Sequence, residues 1–180
     1  MKLLFASDIH GSAYYCRILK EIYEKEKAEK LVLLGDLLYH GPRNDLPKEY
    51  APKEVFALLN SMKEEILTVR GNCEAEVDQM VLEFPCLADY MIIYDQERML
   101  FITHGHKHNT SNMPPLKEGD ILVHGHTHVP VIEEVGKNYY INPGSISIPK
   151  DNTPHSYMVY ENGKFTIKDI EGNIYLEKQF

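Results

Sequence analysis

Positive charge falls short of negative charge in this sequence. Nineteen lysines and arginines stand against 27 aspartates and glutamates, a formal net charge of -8. Such a chain has no general attraction for nucleic acid or an anionic membrane, although a bound pair of divalent cations would offset part of the charge locally. A stable nucleic-acid partner is not expected. Cysteine is scarce too: Cys16, Cys73 and Cys86 are odd in number, widely spaced and without a Cys-x-x-Cys pair. Neither a disulfide framework nor a cysteine zinc site is indicated, and a reducing compartment is the simpler reading. No apolar run approaches membrane-spanning length, and the first is broken by Asp8 and His10 too early for a signal-peptide core. The expectation is a cytoplasmic protein with no membrane partner. Repeats and linker-like stretches are missing as well, and 180 residues suit a single domain, 1–180, with a substantial core.

What the chain does have is a set of short apolar runs that each end in a polar ligand type. Leu3 to Ser7 leads to Asp8-Ile9-His10, Leu31 to Leu34 to Gly35-Asp36, and Ile66 to Arg70 to Gly71-Asn72. Leu100 to Thr103 leads to His104-Gly105-His106, and Ile121 to Val123 to His124-Gly125-His126-Thr127-His128. Strand ends are where open α/β sheets place their sites. Helical spacing over Ser12–Lys27 and from Pro52 to Met62 separates the first three runs, giving a β-α-β-α-β alternation and a largely parallel first sheet. A short helix is expected over Ala75–Glu83. Beyond it the chain turns strand-rich, with a hairpin of Tyr90–Tyr94 and Met99–Thr103 about a turn at 95–98, and an Asn162-Gly163 turn near the end. The alternation and the late strands predict a second sheet packed on the first, with helices outside.

Asp8, His10, Asp36, Asn72, His104, His126 and His128 together offer carboxylate and amide oxygens with imidazoles, a donor set for Mn²⁺, Fe²⁺, Zn²⁺ or Ni²⁺. Seven ligands exceed what one open catalytic metal takes, whereas two metals sharing a carboxylate would use them all. The alternation of Asp8 with His10, and of His126 with His128, lets each pair point one way if the backbone stays extended.

Ser-Asp-Ile-His-Gly, Gly-Asp followed by His-Gly-Pro-Arg-Asn, Arg-Gly-Asn-Cys-Glu, Thr-His-Gly-His, Gly-His-Thr-His and Asn-Pro-Gly-Ser, in that order, resemble the calcineurin-like metallophosphoesterases, and among them the small bacterial and archaeal YfcE-type phosphodiesterases. The resemblance implies an α/β fold, a four-layer α/β/β/α sandwich of two mixed β-sheets flanked by helices. It implies hydrolysis of a small or medium phosphodiester with two divalent ions, Mn most of all. By motif, Asp8, His10 and His128 would hold the first ion, Asn72, His104 and His126 the second, and Asp36 would bridge, holding the hydroxide that attacks phosphorus in line. Asn72 would also touch the phosphate. Many members have a histidine where this chain has Cys73, so a leaving-group proton is left to Cys73, His106 or water. Arg43 is a candidate phosphate contact, because its guanidinium can bind two oxygens and its loop follows Asp36.

Plainer readings stand beside these. His124 is expected to support a neighbouring ligand, His108 and His155 to lie on the surface, and His40 and His106 either to line the site or simply to be solvated. Tyr14, Tyr15 and Tyr39 either pack or line a pocket for a base or aromatic leaving group. Asn142-Pro143-Gly144-Ser145 reads as a turn. A non-catalytic scaffold, as in the retromer subunit that resembles this fold, and a nuclease or phosphomonoesterase are the competing functions. The substrate, the metal used in the cell and a homo-oligomeric state are left open.

Overall fold

The computed structural model describes residues 1–95 and 97–180. Strands β1 (Lys2–Ala6), β2 (Lys30–Leu33) and β3 (Ile66–Thr68) alternate with helices α1 (Ala13–Glu26) and α2 (Pro52–Asn60). The helices start where the sequence signals them: Ser12 Oγ caps α1 by accepting Tyr15 N–H, and Pro52 opens α2, where a missing N–H costs nothing. A single turn, α3 (Glu76–Gln79), is all that forms of the helix expected up to Glu83. Gln79 explains the early stop. Its side-chain NH2 donates to Leu82 O and Phe84 O and its Oε1 accepts Cys86 N–H, which holds the following chain as loop.

Seven further strands follow before the last: β4 (Tyr90–Asp95), β5 (Arg98–Thr103), β6 (Ile121–Val123), β7 (Pro130–Val135), β8 (Asn138–Pro143), β9 (Ser156–Glu161) and β10 (Lys164–Asp169). Strand β11 (Ile174–Gln179) lies outside the sequence expectations, because its apolar residues are grouped as Ile174-Tyr175-Leu176 and do not alternate with polar ones. The turn position Gln96 lies outside the described residues. The strands form two mixed sheets, β11-β10-β9-β1-β2-β3 and β4-β5-β6-β8-β7. The late strands are therefore divided between the sheets. β9 pairs antiparallel with β1, on the side away from β2, because alternate residues meet two buried faces: Tyr157 and Val159 join the helix-side core, and Met158 and Tyr160 the core between sheets.

Leu3, Phe5, Val32, Leu100, Ile121 and Ile141 belong to that inter-sheet core, while Leu4, Leu31 and Leu33 meet α1 and α2 through Leu19 and Leu59. On the outer side of the second sheet Phe101, Leu122 and Tyr140 are covered by Met113 and Leu116 of an irregular segment. None of the described helices is long and apolar enough to cross a membrane.

Candidate metal centre

The ends of β1, β2, β3, β5 and β6 deliver all seven candidate ligands to one end of the sandwich. Beyond the parallel strands β1 and β2 the backbone stays paired, with Asp8 N–H on Gly35 O (3.1 Å), His10 N–H on Asp36 O (2.8 Å) and Gly11 N–H on Leu37 O (2.8 Å). The backbone is not extended there, contrary to the reasoning from alternation. Asp8, His10, Asp36, His126 and His128 all have φ between 50° and 66°. Each such conformation costs a non-glycine residue about 1 kcal/mol or more and persists only where its surroundings enforce it. Serines enforce it at Asp8: Ser145 Oγ and Ser147 Oγ both donate to its carbonyl, at 2.8 and 2.9 Å. The Asn-Pro-Gly-Ser stretch, strand as far as Pro143 and not the expected turn, thus braces the site, and Asn142 Nδ2 also donates to Gly125 O and Thr127 Oγ1. Gly125 itself has no room for a side chain, since a Cβ would meet Ser7 Oγ at 1.9 Å.

Two clusters result. In the first, Asp8 Oδ1 lies 3.6 Å from His10 Nε2 and 3.2 Å from His128 Nε2, and the two imidazole nitrogens are 3.3 Å apart. His10 Nδ1 donates to Tyr39 O (2.8 Å) and His128 Nδ1 to Ile148 O (2.7 Å), so both rings turn Nε2 toward Asp8. Asp8 Oδ1 is buried with no hydrogen-bond partner, while Oδ2 accepts from Ser7 Oγ and His126 N–H. Two converging imidazole nitrogens and an orphaned carboxylate oxygen fit a cation. In the second cluster His104 Nδ1 donates to Leu34 O (2.6 Å), leaving Nε2 toward Asn72 Oδ1 (3.1 Å) and His126 Nδ1 (3.2 Å). Asp36 belongs to both: its Oδ2 is 3.6 Å from His10 Nε2 and 3.4 Å from His104 Nε2.

The carboxylates and imidazoles of the two clusters shift one another's ionisation. Burial opposes ionisation of Asp8 and Asp36, but His10 and His128 hold Asp8 well below the usual carboxylate range, and His104 lowers Asp36. Burial likewise opposes a charged His104, yet Asp36 and Asp8 push it up to about 9. Burial and neighbouring His104 push His106 down to about 4, so its ring is neutral at pH 7. Burial, then Asp36, raises the Cys73 thiol, which keeps its proton.

Arg43 lines a cavity of about 390 Å³ with Asp36, Asn72, Cys73, His126 and His128. His124 stays out of both clusters, stacked on Tyr140 at 4.2 Å with Nδ1 on Gly125 O. His155 is half-buried, with Tyr15 stacked on it and hydrogen-bonded to its Nε2. His108 packs edge-on against Phe101. Tyr14 lies under Lys48, and Tyr39 alone of the three tyrosines borders the site.

Two residues were given no role by the sequence reading, although Glu74 closes its Arg-Gly-Asn-Cys-Glu motif. Lys150 lines the Arg43 cavity from a loop with no motif of its own. Glu74 is buried beneath Asp36; its Oε1 accepts Leu37 N–H (2.7 Å) and its Oε2 accepts Asp36 N–H (2.9 Å) and Gly71 N–H. It ties the Asp36 loop to the Asn72 loop, and burial with the Asp36 charge pushes it up to about 7. Its place two residues after Asn72 was the available signal.

Residues 1–164 match the calcineurin-like phosphoesterase superfamily domain. The chain belongs to that superfamily. It is 47% identical to phosphodiesterase YfcE of Escherichia coli over 93% of this chain and 91% of that protein. A solved structure of E. coli YfcE superposes with a TM-score of 0.96, at 44% identity and with 99% and 98% of the two chains covered. A phosphodiesterase of Methanocaldococcus jannaschii is 30% identical over 80% of this chain and 83% of its own. Vps29 of Entamoeba histolytica, solved with Zn²⁺, shares the fold at a TM-score of 0.61 and 21% identity, with 99% and 98% of the chains covered.

Proposed function

We propose that this phosphoesterase is a binuclear, metal-dependent phosphodiesterase acting on a small or medium phosphodiester. The observation that carries the reading is the shared carboxylate: one oxygen of Asp36 faces histidines of both clusters. Asp8, His10 and His128 would hold one divalent ion and Asn72, His104 and His126 the other, with Asp36 between them. Oxygen and imidazole donors together suit Mn²⁺, which the reading puts first, with Fe, Zn or Ni as alternatives. Such a pair of ions supplies a hydroxide nucleophile at neutral pH and Lewis acidity toward the phosphoryl oxygens.

The chain's own residues orient the reaction. The carbonyls of Tyr39, Leu34 and Ile148 fix three rings in the tautomer that presents Nε2. The Asn72 amide and the Arg43 guanidinium are donors for the phosphate oxygens, and Arg43 can span two of them. In-line attack then requires only that the diester be held with its leaving group turned away from Asp36. The protonated Cys73 thiol is a side chain that could give the departing oxygen a proton; His106, neutral at pH 7, offers it an N–H hydrogen bond only, and an acidic leaving group needs neither. The acidic charge and the free cysteines support a diffusible substrate and a cytoplasmic setting.

Purified protein should hydrolyse bis(4-nitrophenyl) phosphate when Mn²⁺ is added, hydrolyse 4-nitrophenyl phosphate more slowly, and bind two ions per chain. Faster monoester turnover would make it a phosphomonoesterase. Two bound ions with no hydrolysis of either ester would point to a scaffold.

A further inference from the structure

Two cavities of opposite character meet at the candidate metal centre. The first, of about 390 Å³, is polar, with Arg43 and Lys150 beside Asn72 and His126. The second, of about 420 Å³, is walled by Tyr39, Tyr50, Phe56, Val77 and Val81. Cys73 lines both. Its sulfur lies within 4.8 Å of ligand atoms of His10 and Asp36, so the apolar cavity begins beside the site of reaction. Tyr39 makes a second connection: its carbonyl accepts from His10 Nδ1 while its residue forms part of the apolar wall. Lys53 and Asp78 add one charge of each sign to that wall and so no net field for an ionic group. Val77 is 62% exposed and Tyr39 43%, which leaves apolar surface in water directly beside a polar centre.

We propose that the apolar cavity binds an alkyl or aryl arm of the phosphodiester while the Arg43 and Lys150 side takes a hydrophilic arm, making the substrate a diester of unlike halves. The inference rests on the phosphodiesterase reading above. A diester carries one charge and two organic arms, and a phosphorus held at the junction would send one arm along each cavity. An apolar arm releases water from the Tyr39, Phe56 and Val77 wall, a gain on the order of fourfold in affinity per methylene buried. Two polar arms would leave that wall wet.

Monomethyl esters of methyl-, butyl- and hexylphosphonic acid keep the single charge of a diester and carry the varied arm on a P–C bond that is not hydrolysed. Their Kd values, measured by calorimetry on the Mn²⁺-loaded protein, should fall on the order of fourfold per methylene until the cavity is filled. Val77→Lys, at an exposed position that tolerates substitution, should flatten the series. Phe56→Ala should flatten it as well. A chain-length series that is flat in the wild type, or equally steep in both variants, would overturn the proposal. Hydrolysis of bis(4-nitrophenyl) phosphate, followed on the same preparation, separates the two layers. A flat series with active enzyme removes only the unlike-halves assignment. No Mn²⁺-stimulated hydrolysis removes the phosphodiesterase reading and the substrate assignment with it.

Discussion

The two ligand clusters differ in how far they are sealed. Asp8, His10 and His128 are 0%, 1% and 3% exposed, and both rings are pinned through Nδ1 to backbone carbonyls. In the other cluster only His104 is buried and pinned in that way, while His126 is half-buried and Asn72 is exposed. A sealed, pre-oriented set loses little freedom when it closes on an ion, so the Asp8 cluster should hold its ion more tightly. The open cluster gives the Arg43 cavity two lining residues, Asn72 and His126, and the sealed cluster only His128. On the proposed binuclear reading, this contrast would give anchoring to one half of the site and substrate contact to the other, with Asp36 joining them.

The largest expected effect comes from removing the joint. Asp36→Ala should lower kcat/KM on the order of 10³-fold and reduce bound metal below two ions per chain by mass spectrometry. Wild-type turnover at unchanged stoichiometry would end the shared-carboxylate reading. Next come the halves taken separately, where one ligand is worth on the order of 100-fold in affinity. A Mn²⁺ titration should resolve a tight and a weak class of site; His128→Ala should weaken the tight class and His126→Ala the weak one. The same class weakening in both variants would erase the distinction.

Proton competition sharpens it further. His104 is raised to about 9 in the metal-free protein, so it is protonated below that pH and must release a proton to become a ligand. Affinity of the weak site should rise with pH by up to about tenfold per unit until pH 9 and then level off. A weak-site affinity that does not change with pH in such titrations would remove His104 as the cause. Glu74→Gln should cost about tenfold in weak-site affinity, because the amide offers one acceptor to three N–H groups and places donors against the others. The smallest effect belongs to Arg43→Ala, about tenfold in KM with both metal affinities unchanged. A change in metal stoichiometry there would show that Arg43 acts on the ions instead of the ester.

The local grammar of the chain was readable because it is carried by neighbours in sequence. Helix α1 follows from its apolar spacing and its Ser12 cap, and the strand ends at Asp8, Asp36, Asn72, His104 and His126 follow from apolar runs that stop at a polar residue. Those positions, with their motif order, were enough to name the seven residues that converge. Tertiary structure decided what long-range contacts control. It sent β9, β10 and β11 back to the first sheet, where β9 buries both faces beside β1. It bent Asp8 and His10 into left-handed backbone, a state that local preference disfavours and that serines 137 and 139 residues away sustain. It buried Glu74 under Asp36 and set an apolar cavity against Cys73. Residue types at strand ends determine which atoms could bind an ion. Only packing between distant segments fixes the distances, tautomers and cavities that decide how those atoms are used.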